Sequence, residues 1–443
     1  MANCIITSIL LDSAIYKRLI LYLFIITGYS YAQQSFEEFK RQQEQAYKQF
    51  KESVTNEYNT FKAEEEAAFR KFKEDVEKQW VEFQGSTKST YVSYDDDLQS
   101  RAAIDFEDGE VTIEVIIDHE QIEKDGLNYY NGSESNRFRF GYAGPSLIGN
   151  YLCILNTSFF AIPQTAGHVQ KELAGNKTRP VLQKLADSML MKKLVHLLSE
   201  KDDDGNAILE NQLKNIEGVV VKPGLNDTEF AQEKVSQLLK DAKDYVGKDG
   251  KKRTSFSLNL KLRPDHKDVR INKYQKEISK QSKRFKINPA IAMAVTETES
   301  SFNPKATSPI PAYGLMQLVP ASGARDAYTY VYGEDKFLGK RYLYKPNNNI
   351  ELGCAYLGKI RHQYFQNIKD DEKALMCTVA AYNTGVGNVS RALTNSTKIS
   401  PAVKKVNKMS SQELYNTLLR DLKYEETRNY LKKVWERKEK YKA

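Results

Sequence analysis

The sequence predicts an α+β protein built from a long N-terminal helix, a small α+β region and a mostly helical C-terminal part. Three observations carry this. An eleven-residue aromatic beat runs from Phe36 to Phe83 with no Gly or Pro before Gly85. Two stretches, Val111 to Ile117 and Phe256 to Leu262, alternate apolar and polar residues as half-buried strands do. From Ile271 onward the apolar residues recur at helical spacing.

At the N-terminus, Lys17 and Arg18 precede the apolar run Leu19 to Thr27, and Ser30 and Ala32 stand where a signal peptidase reads small residues. That run is shorter than the about 20 residues a bilayer span needs. Residues 1–32 are therefore expected to be an export signal cleaved after Ala32, with an uncleaved anchor as the alternative. The 443-residue chain carries 66 Lys+Arg against 58 Asp+Glu, a net charge of +8, without a dense basic block. This argues against nucleic acid as a partner and suits an anionic polymer. Of the four cysteines, Cys4 lies in the expected signal, and Cys153, Cys354 and Cys377 remain. Cys354 and Cys377 sit in apolar helical patterns and are expected as buried free thiols, a disulfide between them being the alternative in an oxidising compartment. Five scattered His and no C-x-x-C imply no metal and no cofactor.

Residues 33–85 are expected to form one helix. Phe36, Tyr47, Tyr58, Phe69 and Trp80 stand eleven apart, and so do Phe39, Phe50, Phe61, Phe72 and Phe83. Eleven residues in three turns keep the stripe on one face, so helices pairing along it would supercoil slightly right-handed. The segment would be on the order of 70 Å long. Packing of the stripe, as a spacer or through self-association, is the expected role.

Residues 86–268 are expected to form the α+β region. Asp108-Gly109 marks a turn before the first strand, and the two alternating strands could pair in one sheet. Helices are expected at Pro180 to Glu200 and Thr228 to Tyr245. The run Asp95, Asp96, Asp97 reads as a solvated turn, and residues 125–165 as loop-rich.

Residues 269–443 hold the chemistry. Asn288-Pro289 is a cap followed by a first-turn proline, and "AIAMAVTETES" continues as a helix. Ile291, Ala294, Val295 and Thr298 share one stripe, and Glu299 falls beside it at the helix end. Glu297 falls about 200° from Glu299 and is expected to point into solvent. A carboxyl group that loses water gains pKa, as a general acid at neutral pH requires. Read from this helix alone, a surface glutamate at a frayed end is the plainer alternative.

The "ES" pair Glu299-Ser300, Ser308, Gly314 to Gln317 ("GLMQ"), "AYNTG" at Ala381 to Gly385 and "EETRNYLKKV" at Glu425 to Val434 follow one another in this order. Together they resemble the lytic murein transglycosylases with a lysozyme-like catalytic domain. The aromatic hendecads, "STK" and "DDDLQSRAAIDFEDGEVTIEV" resemble the N-terminal region of the membrane-bound type C members. The resemblance implies cleavage of the β-1,4 bond between N-acetylmuramic acid and N-acetylglucosamine in peptidoglycan, leaving a 1,6-anhydro end. It implies Glu299 as acid and then base, with the substrate's 2-acetamido group replacing a second carboxylate. By match, Ser308 and Gln317 would bond the acetamido or lactyl groups. Tyr382 would position the acetamido group or Glu299, and Asn383 would shape the floor. Met316 would pack or touch substrate, and Tyr430 would line the groove or the core. In "SPIPAYG", Tyr313 is expected as an extra platform in the groove. Gly314 and Gly385 answer backbone needs, and Arg325 and Arg391 would meet peptide carboxylates or stay exposed.

No Cys follows the apolar run where a lipid-anchored member would need one. A periplasmic protein of a Gram-negative envelope, free or docked at the outer membrane by its helix, is the expectation. Two other readings stand beside this one: a lysozyme-type hydrolase and a non-catalytic peptidoglycan-binding assembly protein.

Overall fold

The alternating stretches become neighbours in a sheet. A computed structural model of the protein describes residues 3–120, 178–238, 240–308 and 311–442. The loop-rich stretch expected at 125–165, Cys153 within it, and Pro309 and Ile310 lie outside the described residues. Strands β1 (Thr90–Tyr94), β2 (Ser100–Asp105), β3 (Glu110–Asp118), β4 (Lys240–Val246) and β5 (Lys252–Lys261) form one antiparallel sheet in the order β1-β2-β3-β5-β4. Its register sets Val111 opposite Leu260, Ile113 opposite Leu258 and Val115 opposite Phe256, so the apolar sets of both strands share one face.

Helices α2 (Thr178–Ser199) and α3 (Asp227–Gln237) cover that face, burying Leu190, Leu194, Leu197 and Phe230 against it. Helix α3 stops at Gln237, which corrects the helix expected to reach Tyr245. The sequence "KDAKDYV" is poor in β-formers, yet its backbone pairs along β5 as the edge strand β4. A free ladder outweighs that local preference. Asp95 to Leu98 form the turn between β1 and β2, and Lys193 of α2, fully buried, reaches the Asp95 carboxylate at 2.6 Å.

Helix α1 is assigned to Asn3–Gln79. Residues up to Ala67 and residues from Ala68 onward are two compact units, each described by itself. In the first, Phe36 and Phe39 are 63% and 58% exposed. In the second, α1 ends at Gln79, short of the expected 85. Trp80, 3% exposed, donates its indole N–H to Leu98 O at 2.7 Å and packs with Val76 on the other side of the sheet. Phe83 turns back to meet Phe69 and Phe72 edge-on and stacks on Tyr94. No helix among the described residues is long and apolar enough to cross a membrane.

The C-terminal part is helical: α4 (His266–Arg284), α5 (Pro289–Ser300), α6 (Arg325–Tyr332), α7 (Pro346–Lys359), α8 (Asp371–Thr384), α9 (Val386–Thr394), α10 (Ile399–Val406), α11 (Ser411–Asp421) and α12 (Glu425–Lys440). Helix α5 packs between α4 and α12. Cys354 and Cys377 are free and buried, as expected. One guanidinium ties the helices to the sheet. Arg270 of α4, 3% exposed, donates to Phe106 O at 2.6 Å, to Gln212 Oε1 at 2.6 Å and to Ser301 O at 3.1 Å. Burial without a carboxylate partner lowers its pKa to about 10.

Candidate active site

Helix α5 starts as its sequence dictates. The Asn288 side chain accepts the Ala290 N–H at 2.8 Å and Pro289 occupies the first turn. The helix then runs through the core, with each residue from Ala290 to Glu297 buried. It stops abruptly at Ser301 and Phe302, which both take positive φ, 49° and 59°. Two successive non-glycine residues in this region are strained and persist only where the surroundings hold them. Here the Ser301 carbonyl is held by Arg270, and its hydroxyl donates to Glu107, which also receives Arg437 of α12 at 3.0 Å.

Glu299 sits one turn-step before this break and is 4% exposed. Burial pushes its carboxyl pKa upward, against a cation, Lys88, that pulls it down. Lys88 Nζ lies 3.4 Å from Glu299 Oε2 and 3.6 Å from Glu426 Oε1. Tyr430 of α12 is 4% exposed, and its hydroxyl lies beside the Glu299 carboxyl without closing a hydrogen bond of ordinary geometry. Tyr382 of α8 also faces Glu299, and its hydroxyl donates to Met316 O at 2.7 Å. Burial raises the pKa of both phenols well above the usual tyrosine value, so they remain neutral donors.

The segment Gly314 to Gln317 is fastened to the end of α5. Ser300 Oγ donates to Leu315 O at 2.7 Å. Asn349 of α7, fully buried, accepts the Met316 N–H at 2.7 Å and donates to Tyr313 O at 2.8 Å and Leu343 O at 2.7 Å. Gly314 has φ 77°, and a Cβ there would stand 2.5 Å from both Asn349 Nδ2 and Leu343 O, which accounts for glycine at this position. Gln317, at φ 47°, donates its amide to Ala306 O and Gly314 O, at 3.0 and 3.1 Å. Its Oε1 is buried with no partner among the described residues. A buried acceptor in that state costs free energy until a donor arrives. Ser308, half-buried, donates its N–H to Ala312 O at 3.2 Å. Asn383 Oδ1 accepts the Thr427 hydroxyl at 2.7 Å, joining α8 to α12.

Two expectations change, and for Met316 one of two alternatives is decided. Glu297 is 7% exposed and does not face solvent: Tyr441 donates to it at 2.7 Å and Lys440 at 3.2 Å, because the end of α12 covers it. Tyr313 is 2% exposed and meets Tyr344 edge-on at 5.4 Å, which leaves no ring face for a sugar. Met316 is fully buried, its Sδ within 2.3 Å of where a Cβ on Gly353 would stand, so its part is packing. Arg325 forks onto Asp335, and Arg391 donates to Asn388 at 2.7 Å. Sequence reasoning passed over Lys88, Glu426 and Asn349. The helical phase of α7, which puts Asn349 on the face of Leu352 and Gly353, could have flagged Asn349. Lys88 lies in the "STK" stretch that carried the resemblance, but nothing local marked Glu299 as its partner, which lies on another part of the chain.

This arrangement is suited to proton transfer: a buried carboxyl group, an adjacent cation and two neutral phenols. Residues 276–403 match the Transglycosylase SLT domain. Residues 47–126 match the N-terminal domain of membrane-bound lytic murein transglycosylase C. A protein of that name from Haemophilus influenzae (strain PittEE) is 36% identical over 179 residues, 40% of this chain and 49% of its own length. Another, from Pectobacterium atrosepticum, is 37% identical over 188 residues, 41% and 52% of the two chains. The chain thus spans about half the length of the curated relatives it matches. A solved lytic transglycosylase Slt from Pseudomonas aeruginosa is 25% identical, covering 38% of this chain and 24% of that one, with a TM-score of 0.30.

Proposed function

We propose, from the premise that residues 276–403 carry a transglycosylase SLT domain, that this protein cleaves peptidoglycan glycan strands without water. The bond broken is the β-1,4 link from N-acetylmuramic acid to N-acetylglucosamine. Protonated Glu299 gives its proton to the glycosidic oxygen, and the C1–O bond breaks as N-acetylglucosamine leaves. The 2-acetamido oxygen of the muramic residue stabilises C1, as in the substrate-assisted exceptions to the two-carboxylate rule. Glu299, now a carboxylate, takes the proton of the 6-hydroxyl while O6 bonds to C1. The product is a 1,6-anhydro ring, and Glu299 ends protonated as it began.

The observation that carries this reading is the burial of Glu299, 4% exposed at the end of α5, which favours the proton-bearing form. In this reading Gln317 Oε1, without a partner among the described residues, would accept the acetamido N–H, Tyr382 and Tyr430 face Glu299, and Ser308 and Asn383 would contact the same sugar. The division into residues 33–85, 86–268 and 269–443, after a signal over 1–32, belongs to this reading. So does placement in a Gram-negative envelope, with the exposed rings of Phe36 and Phe39 favouring self-association through α1.

Digestion of purified sacculi, with mass spectrometry of the released glycan ends, tests it. Anhydro ends are expected, and Glu299→Gln should slow release by about 10²–10⁴-fold. Products heavier by one water would instead identify a hydrolase, and binding without release a non-catalytic protein.

A further inference from the structure

We infer that Lys88, offered by the turn that leads into the sheet, is a positioning residue that stabilises the Glu299 carboxylate once its proton has left. This rests on the reading of Glu299 as acid and then base. The turn is held by its own hydrogen bonds and by one from the sheet region. Thr87 donates its N–H to Thr90 O at 2.8 Å, Thr90 donates its N–H to Thr87 Oγ1 at 3.0 Å, and Phe106 donates its N–H to Ser89 O at 2.9 Å. Thr307, beside Ser308, donates its N–H to Thr87 O at 3.4 Å, which docks the turn on the loop that carries Ser308. The Lys88 side chain is 36% exposed, and its ammonium ends 3.4 Å from a carboxyl oxygen whose own side chain is 5% exposed.

The groups facing Glu299 come from three other elements. Tyr382 stands on α8, Tyr430 and Glu426 on α12, and Lys88 on the turn before β1. Among the described residues Lys88 is the cation paired with Glu299. Burial alone favours the protonated acid and so works against proton release. The adjacent positive charge offsets this, strengthening the acid in the first step and holding its anion for the second. Glu426, with a side chain 75% exposed, shares the ammonium and limits its pull on Glu299. The sheet region thereby supplies a charge to chemistry carried by the helices.

Removing the cation raises the pKa of Glu299, so the alkaline limb of the pH–rate profile must move up while proton release slows. For Lys88→Met on the full chain we expect that limb to rise by about one pH unit or more. The kcat on sacculi should fall about 10-fold with KM nearly unchanged, and Lys88→Arg should restore both. Glu426→Gln, a change at an exposed side chain, must move the limb the opposite way, because Lys88 is then left to Glu299 alone. An active Lys88→Met enzyme with the wild-type limb overturns this inference. So does a Glu426→Gln limb that rises or stays put, which settles the matter even if the lysine variant does not fold. Wild-type protein that releases no glycan would overturn the underlying reading instead.

Discussion

Glu299 faces opposing demands from folding and from chemistry. Its pKa is raised in the folded chain by burial, with Lys88 pulling the other way. Below the unfolded value of a glutamate, both states hold the proton and no stability is lost. As pH rises, the unfolded chain ionises first, so stability declines until the pH passes the folded pKa. Glutamine keeps the volume and removes this dependence. Glu299→Gln is therefore expected to melt higher than wild type by roughly 2–4 °C at about pH 8, with the gap closing towards about pH 4. Thermal unfolding followed by circular dichroism at both values checks this, and a gap that widens in acid would contradict it. The fold accepts lower stability at this residue, and in the proposed reaction the proton is held where it would be used. Glu297, two residues earlier, shows the contrast: its carboxylate is satisfied by Tyr441 and Lys440 and makes no contact with the proposed chemistry.

At the level of elements, the end of α5 and the segment after it are held in strained backbone by groups on α4 and α7. Asn349 does most for the segment, since its amide serves two carbonyls and its oxygen one N–H. Asn349→Ala leaves those three backbone groups buried and unpaired, and should cost about 2–3 kcal/mol of stability. Urea unfolding measures that loss. Turnover should fall as well, because Gln317 and the Met316 carbonyl that receives Tyr382 move with the segment. The glycine at position 314, the cap at Asn288 and the phase of Glu299 were legible in the sequence, because each follows from local geometry. The left-handed pair Ser301 and Phe302 was not, because the force that holds it arrives from Arg270 and Glu107.

Across residues 68–443, a buried charge joins the sheet to the helices. Arg270 lies over the Phe106 ring at 4.9 Å while bonding groups on both sides of the junction. Removing it leaves the Phe106 and Ser301 carbonyls without their partner. Sheet and helices should therefore unfold in one transition, seen alike by far- and near-ultraviolet circular dichroism. Arg270→Met should lower the midpoint by about 2–3 kcal/mol equivalent and pull the two signals apart. Coincident signals at an unchanged midpoint in that variant would show that the junction is held elsewhere.

What the sequence determined by itself was short in range. It set the alternation that makes β3 and β5, the capped start of α5, the aromatic period of α1 and the side of the helix on which Glu299 falls. Each depends on neighbours within a few turns, and backbone periodicity is enough to read them. The tertiary structure alone decided that β4 is a strand, that Glu297 is covered, that Tyr313 is core and that Lys88 reaches Glu299. Those outcomes turn on which distant segments return to share a desolvated volume, and a charge or a ring carries no local mark of the partner it will find there.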